Sequence, residues 1–468
     1  MIATTTPNQA SLPTATSTSS FWHKDPSVAL LDHRTTATLP TCTDVLIIGS
    51  GITGSFAAHF LRQKDKEKHI LMLEAREACW GATGRNGGHC QPAIYASPPE
   101  IGAFELRNFR FLKDLVEENS IQCDWVNTQG IHSYYDENMF KTSLQHFRVL
   151  EKMFPKLAKN VKVITKDLRS PSLADLRVPR AVGAFLQVNA AGLWPYKLIC
   201  WVLENLLSSS KDSEVGDFNL QTNTPVTQLQ KVDEGWMVHT PRGMVLARKV
   251  VVATNAYTSH LLPKMSNLIV PVQGEMSALI PPASARPSSS SSSLRRTYVF
   301  HNHDLNNDIH QDDYLIQRPF TTTSLSKGGE LMFGGGRQYA AQAGVGVSDD
   351  SFTSKTAASY LRNKLNNVLD ISAIPSEELK ASHEWTGIMG FSRDERPWVG
   401  EVTEELGLGG ADGLFVCAGF TGHGMPNSTL SAKAIVEMLL GNGNGQEEVD
   451  LPSSYRVNPD RVKVLVGG

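Results

Sequence analysis

The sequence has few of the features that would assign it to a membrane, secreted or nucleic-acid-binding class. No apolar run reaches the roughly 18 residues that a membrane-spanning helix needs. The net formal charge of -3 at pH 7 offers no attraction for nucleic acid or for an anionic membrane, so neither is expected as a partner. The six cysteines show no C-x-x-C spacing, which favours reduced thiols in a reducing compartment, and we expect no metal site. These absences favour an enzyme of the cytoplasm.

The amino terminus also lacks the marks of a targeting segment. Its first 20 residues contain no Arg or Lys and no apolar stretch, so we do not expect a signal peptide. They are rich in Ser and Thr, and we predict that residues 1–39 form a disordered extension and arm. The whole chain of 468 residues, with 41% hydrophobic residues, is long enough for about two or three domains.

What the sequence does contain is a complete dinucleotide-binding pattern. An apolar strand ending at Ile48 runs into G-x-G-x-x-G at Gly49–Gly54, and a helical pattern follows. A second apolar run, His69–Leu73, ends on Glu74. The glycines allow a tight turn and the close approach of a pyrophosphate to a helix N-terminus, and the acid can accept hydrogen bonds from a ribose. The predicted dinucleotide contacts are Gly49, Ser50, Gly51, Ile52, Thr53, Gly54, Glu74, Ala75 and Arg76.

A second glycine-rich loop indicates which dinucleotide is bound. Residues 81–89 read Gly-Ala-Thr-Gly-Arg-Asn-Gly-Gly-His. NAD-binding enzymes seldom have such a loop at this point, whereas a flavoprotein must pass the flavin with its backbone close by. The alternative is a flexible surface loop, but Arg85 and Asn86 among four glycines favour a backbone shaped around a ligand. The expected cofactor is FAD, in contact with Gly81, Ala82, Thr83, Arg85, Asn86, Gly87, Gly88 and His89.

Four segments in order resemble one family of flavoenzymes. They are Asp44–Gly54, Gly81–His89, Val250–Tyr257 and Gly413–Leu440. Together they resemble the FAD-dependent D-amino-acid oxidase superfamily, in the branch that holds glycine and sarcosine oxidases and gamma-glutamylputrescine oxidoreductases. The resemblance spans residues 40–445 and is specific for cofactor and fold rather than for substrate.

The resemblance implies where the flavin ring lies. In the family, the turn that matches Gly419–Gly424 and the following helix N-terminus face the flavin pyrimidine and stabilise negative charge at N1 and O2. We expect that helix to begin near Asn427 or Ser428 and to continue through Leu440. The cofactor contacts added by the resemblance are Val226, Ala253, Thr254, Asn255, Gly419, Phe420, Thr421, Gly422, Gly424 and Met425.

The expected fold is α/β, with a split Rossmann-like FAD-binding domain and a second, α+β substrate domain built on an antiparallel sheet. A helix is predicted over Asn189–Leu207, and a hairpin turn at Thr240–Gly243. The predicted division is the arm at 1–39, FAD-binding segments at 40–95, 186–265 and 383–445, substrate-domain segments at 96–185 and 266–382 with a Ser-rich insertion at 281–296, and a tail at 446–468.

The expected activity follows from the cofactor and the resemblance. One dinucleotide fingerprint is present and a second one for NAD(P)H is not visible, so the electrons are expected to come from the substrate. The resemblance implies an amine or amino-acid substrate, hydride transfer to flavin N5, and reoxidation by O2 to give an imine and H2O2. One alternative is a dehydrogenase that passes electrons to a quinone or a protein. A second alternative is a non-catalytic flavin-binding protein.

Four residues are candidates for catalysis, each with a structural alternative. His423 is expected beside the flavin pyrimidine, and its alternative is a capping histidine. Arg337 follows a glycine-rich strand end and faces either substrate or solvent. Tyr314 and Trp385 form either an aromatic wall around an amine or part of the core. Two residues on a predicted strand, Gln273 and Glu275, face either the cavity or solvent.

Two departures from the sarcosine oxidases refine the expectation. The segment His383–Phe391 lacks the cysteine that links the flavin in the covalent enzymes, so non-covalent FAD is expected, with His89, Cys90 and Cys417 as the residual candidates for a link. The lysine that follows the Gly-His-Gly turn in those enzymes is also missing. A larger amine or a modified amino acid is therefore expected rather than a simple N-methylglycine.

Overall fold

The computed structural model describes residues 9–211, 216–286, 294–304, 309–321, 324–371, 378–441 and 449–466. The strands are β1 Cys42–Ile48, β2 Ile70–Leu73, β3 His89–Cys90, β4 Val126–Tyr134, β5 Val161–Thr165, β6 Gly183–Gly192, β7 Phe218–Gln221, β8 Gln228–Val232, β9 Gly235–Thr240, β10 Gly243–Val252, β11 Ile269–Leu279, β12 Arg296–Asp304, β13 Ile309–Gln317, β14 Phe320–Thr321, β15 Ser324–Gly328, β16 Leu331–Gly335, β17 Ala381–Ser392, β18 Trp398–Glu401 and β19 Leu414–Ala418. The α-helices are α1 Ile52–Lys64, α2 Pro99–Glu118, α3 Glu137–Met153, α4 Pro155–Ala158, α5 Pro195–Lys211, α6 Thr258–Leu261, α7 Lys355–Val368, α8 Ser428–Leu440 and α9 Pro459–Val466. Within these described ranges, no helix is both long and apolar enough to cross a bilayer.

The first sheet is the nucleotide-binding sheet that the fingerprint predicts. Its strand order is β18-β19-β10-β1-β2-β7, and β19, β10, β1, β2 and β7 run parallel. The hairpin strand β9 pairs with β10 as predicted, and β8 pairs with β9. Helix α1 packs against α5 and α8, while β2 and β19 are buried along their whole length. The carboxyl ends of β1, β2, β10 and β19 meet at one edge, which is where open parallel sheets bind ligands.

The second sheet supplies the face that meets this edge. Its order is β17-β11-β16-β13-β12-β4-β6-β3, and it is antiparallel except for the parallel pair β12 and β4. On its outer face Leu315 and Phe333 share a core with Leu361 of α7. On its inner face Met276 and Met332 share a core with the nucleotide-binding sheet. The α/β fold with a split Rossmann-like domain and a second domain on an antiparallel sheet is thereby confirmed, with β12 and β4 as the one parallel pair in that sheet among the described residues.

The N-terminal arm, residues 9–39, is packed against the protein, so the prediction of disorder is wrong for these residues. Phe21 and Trp22 are each 1% exposed and belong to the main core. The Ala10 N–H donates to the Ser259 hydroxyl at 2.9 Å. Composition failed as a guide here because a few aromatic side chains are enough to dock a polar segment.

Three predicted boundaries also move. The helix predicted from Asn189 begins at Pro195, because Gly183–Gly192 forms strand β6 instead. The boundaries after residues 185 and 382 fall inside β6 and at the start of β17, and both strands belong to the second sheet. The serine tract at 288–293 lies outside the described residues.

Candidate active site

The nucleotide fingerprint lies at the carboxyl edge of the first sheet. Gly49 has a φ of +103°, and a Cβ there would lie 2.9 Å from the carbonyl oxygen of Ala253. A Cβ on Gly54 would lie 1.9 Å from the carbonyl oxygen of Gly49, so α1 can approach the loop only with glycine at this position. Gly51 precedes α1, whose described residues include no side-chain cap and no acid in the first turn. The helix therefore presents a positive end to an anion.

Glu74 organises the same edge from the end of β2. Its Oε2 accepts hydrogen bonds from the Ser50 N–H at 2.9 Å and from the Ser50 hydroxyl at 2.7 Å. Its Oε1 accepts from the Arg76 N–H at 3.0 Å. Each carboxylate oxygen has two lone pairs, so Oε1 retains one for a ribose hydroxyl. The predicted role of Glu74 is compatible with its contacts.

Residues 81–89, called the flavin loop below, lie between the two sheets. On one side, Thr83 Oγ1 accepts from the Ile52 N–H at 3.1 Å and so ties the loop to α1. On the other side, the Trp385 indole N–H donates to the carbonyl oxygen of Arg85 at 2.8 Å. A Cβ on Gly87 would lie 2.3 Å from the Tyr314 ring, so this approach requires glycine. A ligand that follows the loop from α1 reaches the inner face of the second sheet.

The two arginines predicted to anchor the cofactor bind protein groups with their side chains. Arg85 is 2% exposed, and its guanidinium donates to the carbonyl oxygens of Thr386 at 2.6 Å and Thr18 at 2.5 Å. Arg76 donates to the buried Asp350 carboxylate at 2.9 and 3.0 Å, and the same carboxylate lies 3.4 Å from Arg85 Nε. A buried charge must be paired. Both side chains are thus engaged by protein groups, and the contact of Arg85 and Arg76 with FAD stays a prediction.

The turn Gly419–Gly424 is held between the sheets in a similar way. Asn255 at the end of β10 has a φ of +45°, and its Oδ1 accepts from the first two N–H groups of the turn at 3.0 and 3.3 Å. The Thr421 N–H donates to the carbonyl oxygen of Gly390 on β17 at 2.8 Å. The following helix, α8, has the bounds that the sequence predicts.

His423 in this turn is paired with Glu105 of α2. The Nε2 to Oε2 distance is 3.2 Å, and the His423 side chain is 39% exposed while Glu105 is 1% exposed. Partial burial works against a charged imidazole, but the charge of Glu105 and its hydrogen bond outweigh it, so the pKa of His423 lies above its ordinary value. His423 at the edge of the cleft therefore holds a proton more readily than a free imidazole does.

Tyr314 and His89 lie together where the flavin loop meets β13. Their rings are nearly perpendicular, with centroids 5.4 Å apart. The Tyr314 hydroxyl donates to Met276 Sδ at 3.2 Å, and His89 Nε2 donates to the carbonyl oxygen of Leu315 at 3.1 Å. Burial lowers the pKa of His89 to about 4, so the ring is neutral. Its buried Nδ1 is then an acceptor without a hydrogen-bond partner in the described part of the chain.

The side chains of Trp385 and Arg337 contact other protein groups and are less open than the wall of a substrate cavity requires. Trp385 is fully buried, and its indole N–H is bonded to the flavin loop, so the core alternative describes it. Arg337 lies over the Phe391 ring at 4.8 Å, and its Nε donates to the carbonyl oxygen of Ala343 at 3.4 Å. These contacts leave its expected approach to substrate as a prediction.

Gln273 and Glu275 face neither the cavity nor solvent. Both side chains are 4% exposed. Gln273 donates to the carbonyl oxygen of Asp349 at 2.8 Å, and Glu275 accepts from the Ser354 N–H at 2.6 Å. Both residues thus bind the segment that leads into α7, on the outer side of the second sheet.

The remaining predicted contacts lie around the same edge. Val226 is 4% exposed and packs in the core beneath the first sheet. The Ala253 N–H donates to the carbonyl oxygen of Ile48 at 3.0 Å. The carbonyl oxygen of Met425 accepts from the Asn108 side chain at 3.0 Å. In the described ranges no group of His, Cys, Asp and Glu side chains is arranged to hold a metal ion.

FAD fits the residues present. The cradle at Gly49–Gly54 would be filled by Cβ atoms, and Glu74 has an acceptor site left. The N-terminus of α1 suits a pyrophosphate, because its N-cap residue Gly51 makes no side-chain cap and its first turn holds no acid. The buried Nδ1 of His89 beside the flavin loop also calls for a donor.

The parallel sheet, its glycine cradle and the loop between the sheets define the class of FAD-binding oxidoreductases. The model of the DAO family, FAD dependent oxidoreductases, matches residues 44–438. The chain therefore belongs to the DAO family, and it is an FAD-dependent oxidoreductase of the amine and amino-acid oxidase type. The resemblance noted in the sequence is thereby confirmed.

The solved structures that match this chain share its fold, but the matching proteins have different names. The chain is 21% identical over 418 residues to the gamma-glutamylputrescine oxidoreductase of Escherichia coli (strain K12), covering 86% of this chain and 84% of the relative. Glycine oxidase from Geobacillus kaustophilus matches with a TM-score of 0.69 and 18% identity, covering 90% of this chain and 99% of that one. L-proline dehydrogenase from P. horikoshii matches with a TM-score of 0.63 and 19% identity, covering 88% and 96%. Oxidases and a dehydrogenase thus share this fold.

The sequence reasoning missed the partners that hold the predicted residues. Glu105 and Asn108 bind the segment around His423 and Met425, and Asp350 pairs with Arg76. One signal was available, because Glu105 lies among buried apolar residues on one stripe of helix α2. Asp350 lies outside any helix or strand, and its pairing depends on chain segments far apart in sequence.

Proposed function

We propose that this protein oxidises a C–N bond of an amine or amino acid to an imine, with O2 as the final acceptor. The substrate gives up a hydride and the amine proton, and O2 takes two electrons and two protons to become H2O2. The observation that carries the proposal is that two segments bridge the nucleotide-binding region and the second sheet. The flavin loop bonds to the N-terminus of α1 and to β17, and the turn Gly419–Gly424 bonds to Asn255, which follows β10, and to β17. A flavin held by the two segments would have the inner face of the second sheet beside it, where a substrate could be enclosed.

The residues of the chain have distinct tasks in this proposal. The segment Gly49–Gly54 holds the pyrophosphate, Glu74 holds the adenosine ribose, and the flavin loop passes the ribityl chain and ring. FAD, when bound, supplies the hydride acceptor at N5. His423 and the N-terminus of α8 place positive charge where negative charge develops on the pyrimidine. Tyr314 packs beside the loop and borders the substrate space.

The proposed substrate is larger than a simple N-methylated amino acid. The lysine expected after the Gly-His-Gly turn for a carboxylate is absent, since the chain continues Met425-Pro426-Asn427. Arg337 is held over Phe391 and bonded to Ala343. A larger amine or a modified amino acid is favoured because the predicted positions hold no lysine for a small carboxylate.

One experiment tests the activity and separates it from the alternatives. The holoprotein is mixed without oxygen with a panel of amines and amino acids, and the flavin absorbance is followed. We expect some member to bleach the flavin rapidly, and air to restore the colour with release of H2O2. Bleaching that air does not reverse, but a quinone does, identifies a dehydrogenase. A flavin that no member of a broad panel bleaches, although dithionite reduces it, contradicts the catalytic proposal.

A further inference from the structure

We infer that Glu105 is a positioning residue of the flavin site. Its buried carboxylate keeps the His423 imidazole protonated and holds the ring in place at the turn Gly419–Gly424. The inference rests on the proposed function, because the charge matters for catalysis only if the turn faces the flavin pyrimidine. Glu105 lies on α2, far in sequence from every cofactor segment, and does not belong to any of the predicted cofactor contacts.

The geometry shows Glu105 as the point where three segments meet. Its Oε2 accepts from the N–H of Ala93 at 2.6 Å, in the segment that follows the flavin loop and β3. The same oxygen lies 3.2 Å from His423 Nε2. Its Oε1 accepts from Asn427 Nδ2 at 2.9 Å, one residue before α8. A carboxylate that only needed solvation would not make these three contacts. Glu105 lies between the segment after the flavin loop and the turn Gly419–Gly424.

His423 forms an ion pair with the buried carboxylate of Glu105. Glu105 is 1% exposed, and among the described residues His423 is its ion-pair partner. A buried carboxylate without a cation is costly, so folding favours the protonated imidazole. The neighbouring titratable groups do not supply that cation. Burial, together with the charges of His301 and His423, lowers the pKa of His132 on β4 well below its ordinary value.

The other groups near Glu105 are neutral donors. Burial raises the pKa of the Cys90 thiol on β3, and the charge of Glu105 adds to that effect. Burial and Glu105 likewise raise the pKa of Tyr455, whose hydroxyl donates to Asn427 Oδ1 at 2.8 Å. Asn427 in turn donates from Nδ2 to the carbonyl oxygen of His423 at 3.0 Å as well as to Glu105. His423 is thus held both by its ring, which contacts Glu105, and by its carbonyl oxygen, which accepts from Asn427.

This arrangement favours the protonated form of His423 through its contact with Glu105. A cation beside the pyrimidine stabilises the form of the cofactor that carries added negative charge, and a neutral imidazole does so less. Removal of the carboxylate should therefore lower the reduction potential of the bound flavin. It should also shift the pH dependence of that potential to lower pH, because the pKa of His423 would fall.

The first test is the midpoint potential of the bound flavin as a function of pH in the holoprotein. Glu105→Gln keeps the size and an acceptor oxygen but loses the charge. We expect about a tenfold loss in the preference for the reduced cofactor near pH 7, which is a drop of about 30 mV for a two-electron couple. His423→Gln should show a similar drop. Glu437→Gln is the matched control, because Glu437 on α8 is another buried acid. It is 6% exposed, and its Oε2 accepts from the Val449 N–H at 3.2 Å.

The second test needs no substitution at Glu105 and covers the case in which that variant does not fold. Protein labelled with 15N in its histidines is titrated, and His423→Gln assigns the His423 signals. We expect the His423 ring to titrate above the ordinary histidine value. A His423 ring that titrates at or below that value overturns the inference.

The outcomes also separate this inference from the proposed function. If His423→Gln lowers the potential and Glu105→Gln leaves it unchanged, Glu105 is only structural, while the flavin role of His423 stands. If neither variant shifts the potential although the His423 ring titrates high, the turn does not face the flavin pyrimidine, and the inference falls with that part of the proposed function. If Glu437→Gln lowers the potential as much as Glu105→Gln does, the effect is a general result of losing a buried acid, and the inference is overturned.

Discussion

Trp22 donates its indole N–H to the carbonyl oxygen of Asn86 and so joins the N-terminal arm to the flavin loop. Ser20 supports the same contact, because its hydroxyl donates to the carbonyl oxygen of Gly84 at 2.8 Å and accepts from the Trp22 N–H at 3.2 Å. The arm also supplies Thr18, which receives the guanidinium of Arg85. The arm therefore forms part of the support of the cofactor site.

Ser20→Ala should weaken FAD binding by up to about thirtyfold, because one hydrogen bond to the loop and one cap are lost at about 1 kcal/mol each. The measurement is titration of the apoprotein with FAD by flavin fluorescence. Ser354→Ala is the matched control, because Ser354 caps α7 by accepting the Ala357 N–H away from the loop. Equal FAD affinity in the two variants would show that the arm does not support the cofactor site.

The contrast between the arm and the fingerprint shows what the sequence can predict. Gly54 and Glu74 act through neighbours in the same strand–helix–strand unit, so local spacing is enough to assign them. Arg85 could be recognised as unusual, but its partners Thr18 and Thr386 are brought to it only by the tertiary fold. The bounds of α8 were expected from the segment that resembles the family. The partner of His423 was not, because α2 is far away in sequence.

His423→Ala should slow flavin reduction more than it weakens FAD binding. The cation stabilises charge that develops during hydride transfer, whereas the oxidised flavin is neutral and gains less from it. We expect a loss of about ten- to a thousand-fold in the reduction rate, the upper end being that of one oxyanion-type donor. Stopped-flow reduction without oxygen, with a substrate from the panel, measures the rate. A variant that loses FAD but reduces normally once reconstituted would make His423 a structural residue.

The flavin should be released by acid precipitation, with the yellow colour in the supernatant. Cys90 and Cys417 are buried, and burial raises the pKa of both thiols, so neither is available as a thiolate for a link. The Nε2 of His89 is bonded to Leu315. Colour that stays in the pellet would contradict the prediction, and His89→Ala, Cys90→Ala and Cys417→Ala would then identify the attachment site.

Glu275 should make the stability of the protein depend on pH between about 4.5 and 7. Burial raises the pKa of its carboxyl to about 7, with Glu384 adding to the effect and the Ser354 N–H opposing it. The folded protein therefore binds the proton more tightly than the unfolded chain does. The resulting stabilisation is present below the ordinary value of 4.5 and is lost as the pH rises through 7.

Glu275→Gln should remove this dependence, because the amide keeps an acceptor for the Ser354 N–H and does not ionise. The difference in free energy of unfolding, variant minus wild type, should rise by about 3 kcal/mol from pH 4.5 to pH 7.5, as measured by urea denaturation. Other titrating groups, such as Asp313, cancel in that difference. The control is Glu401→Gln, an exposed carboxylate that accepts the Gly413 N–H at 2.8 Å and should give a much flatter difference. A flat difference for Glu275→Gln as well would mean that its carboxyl is ionised in the folded protein at neutral pH.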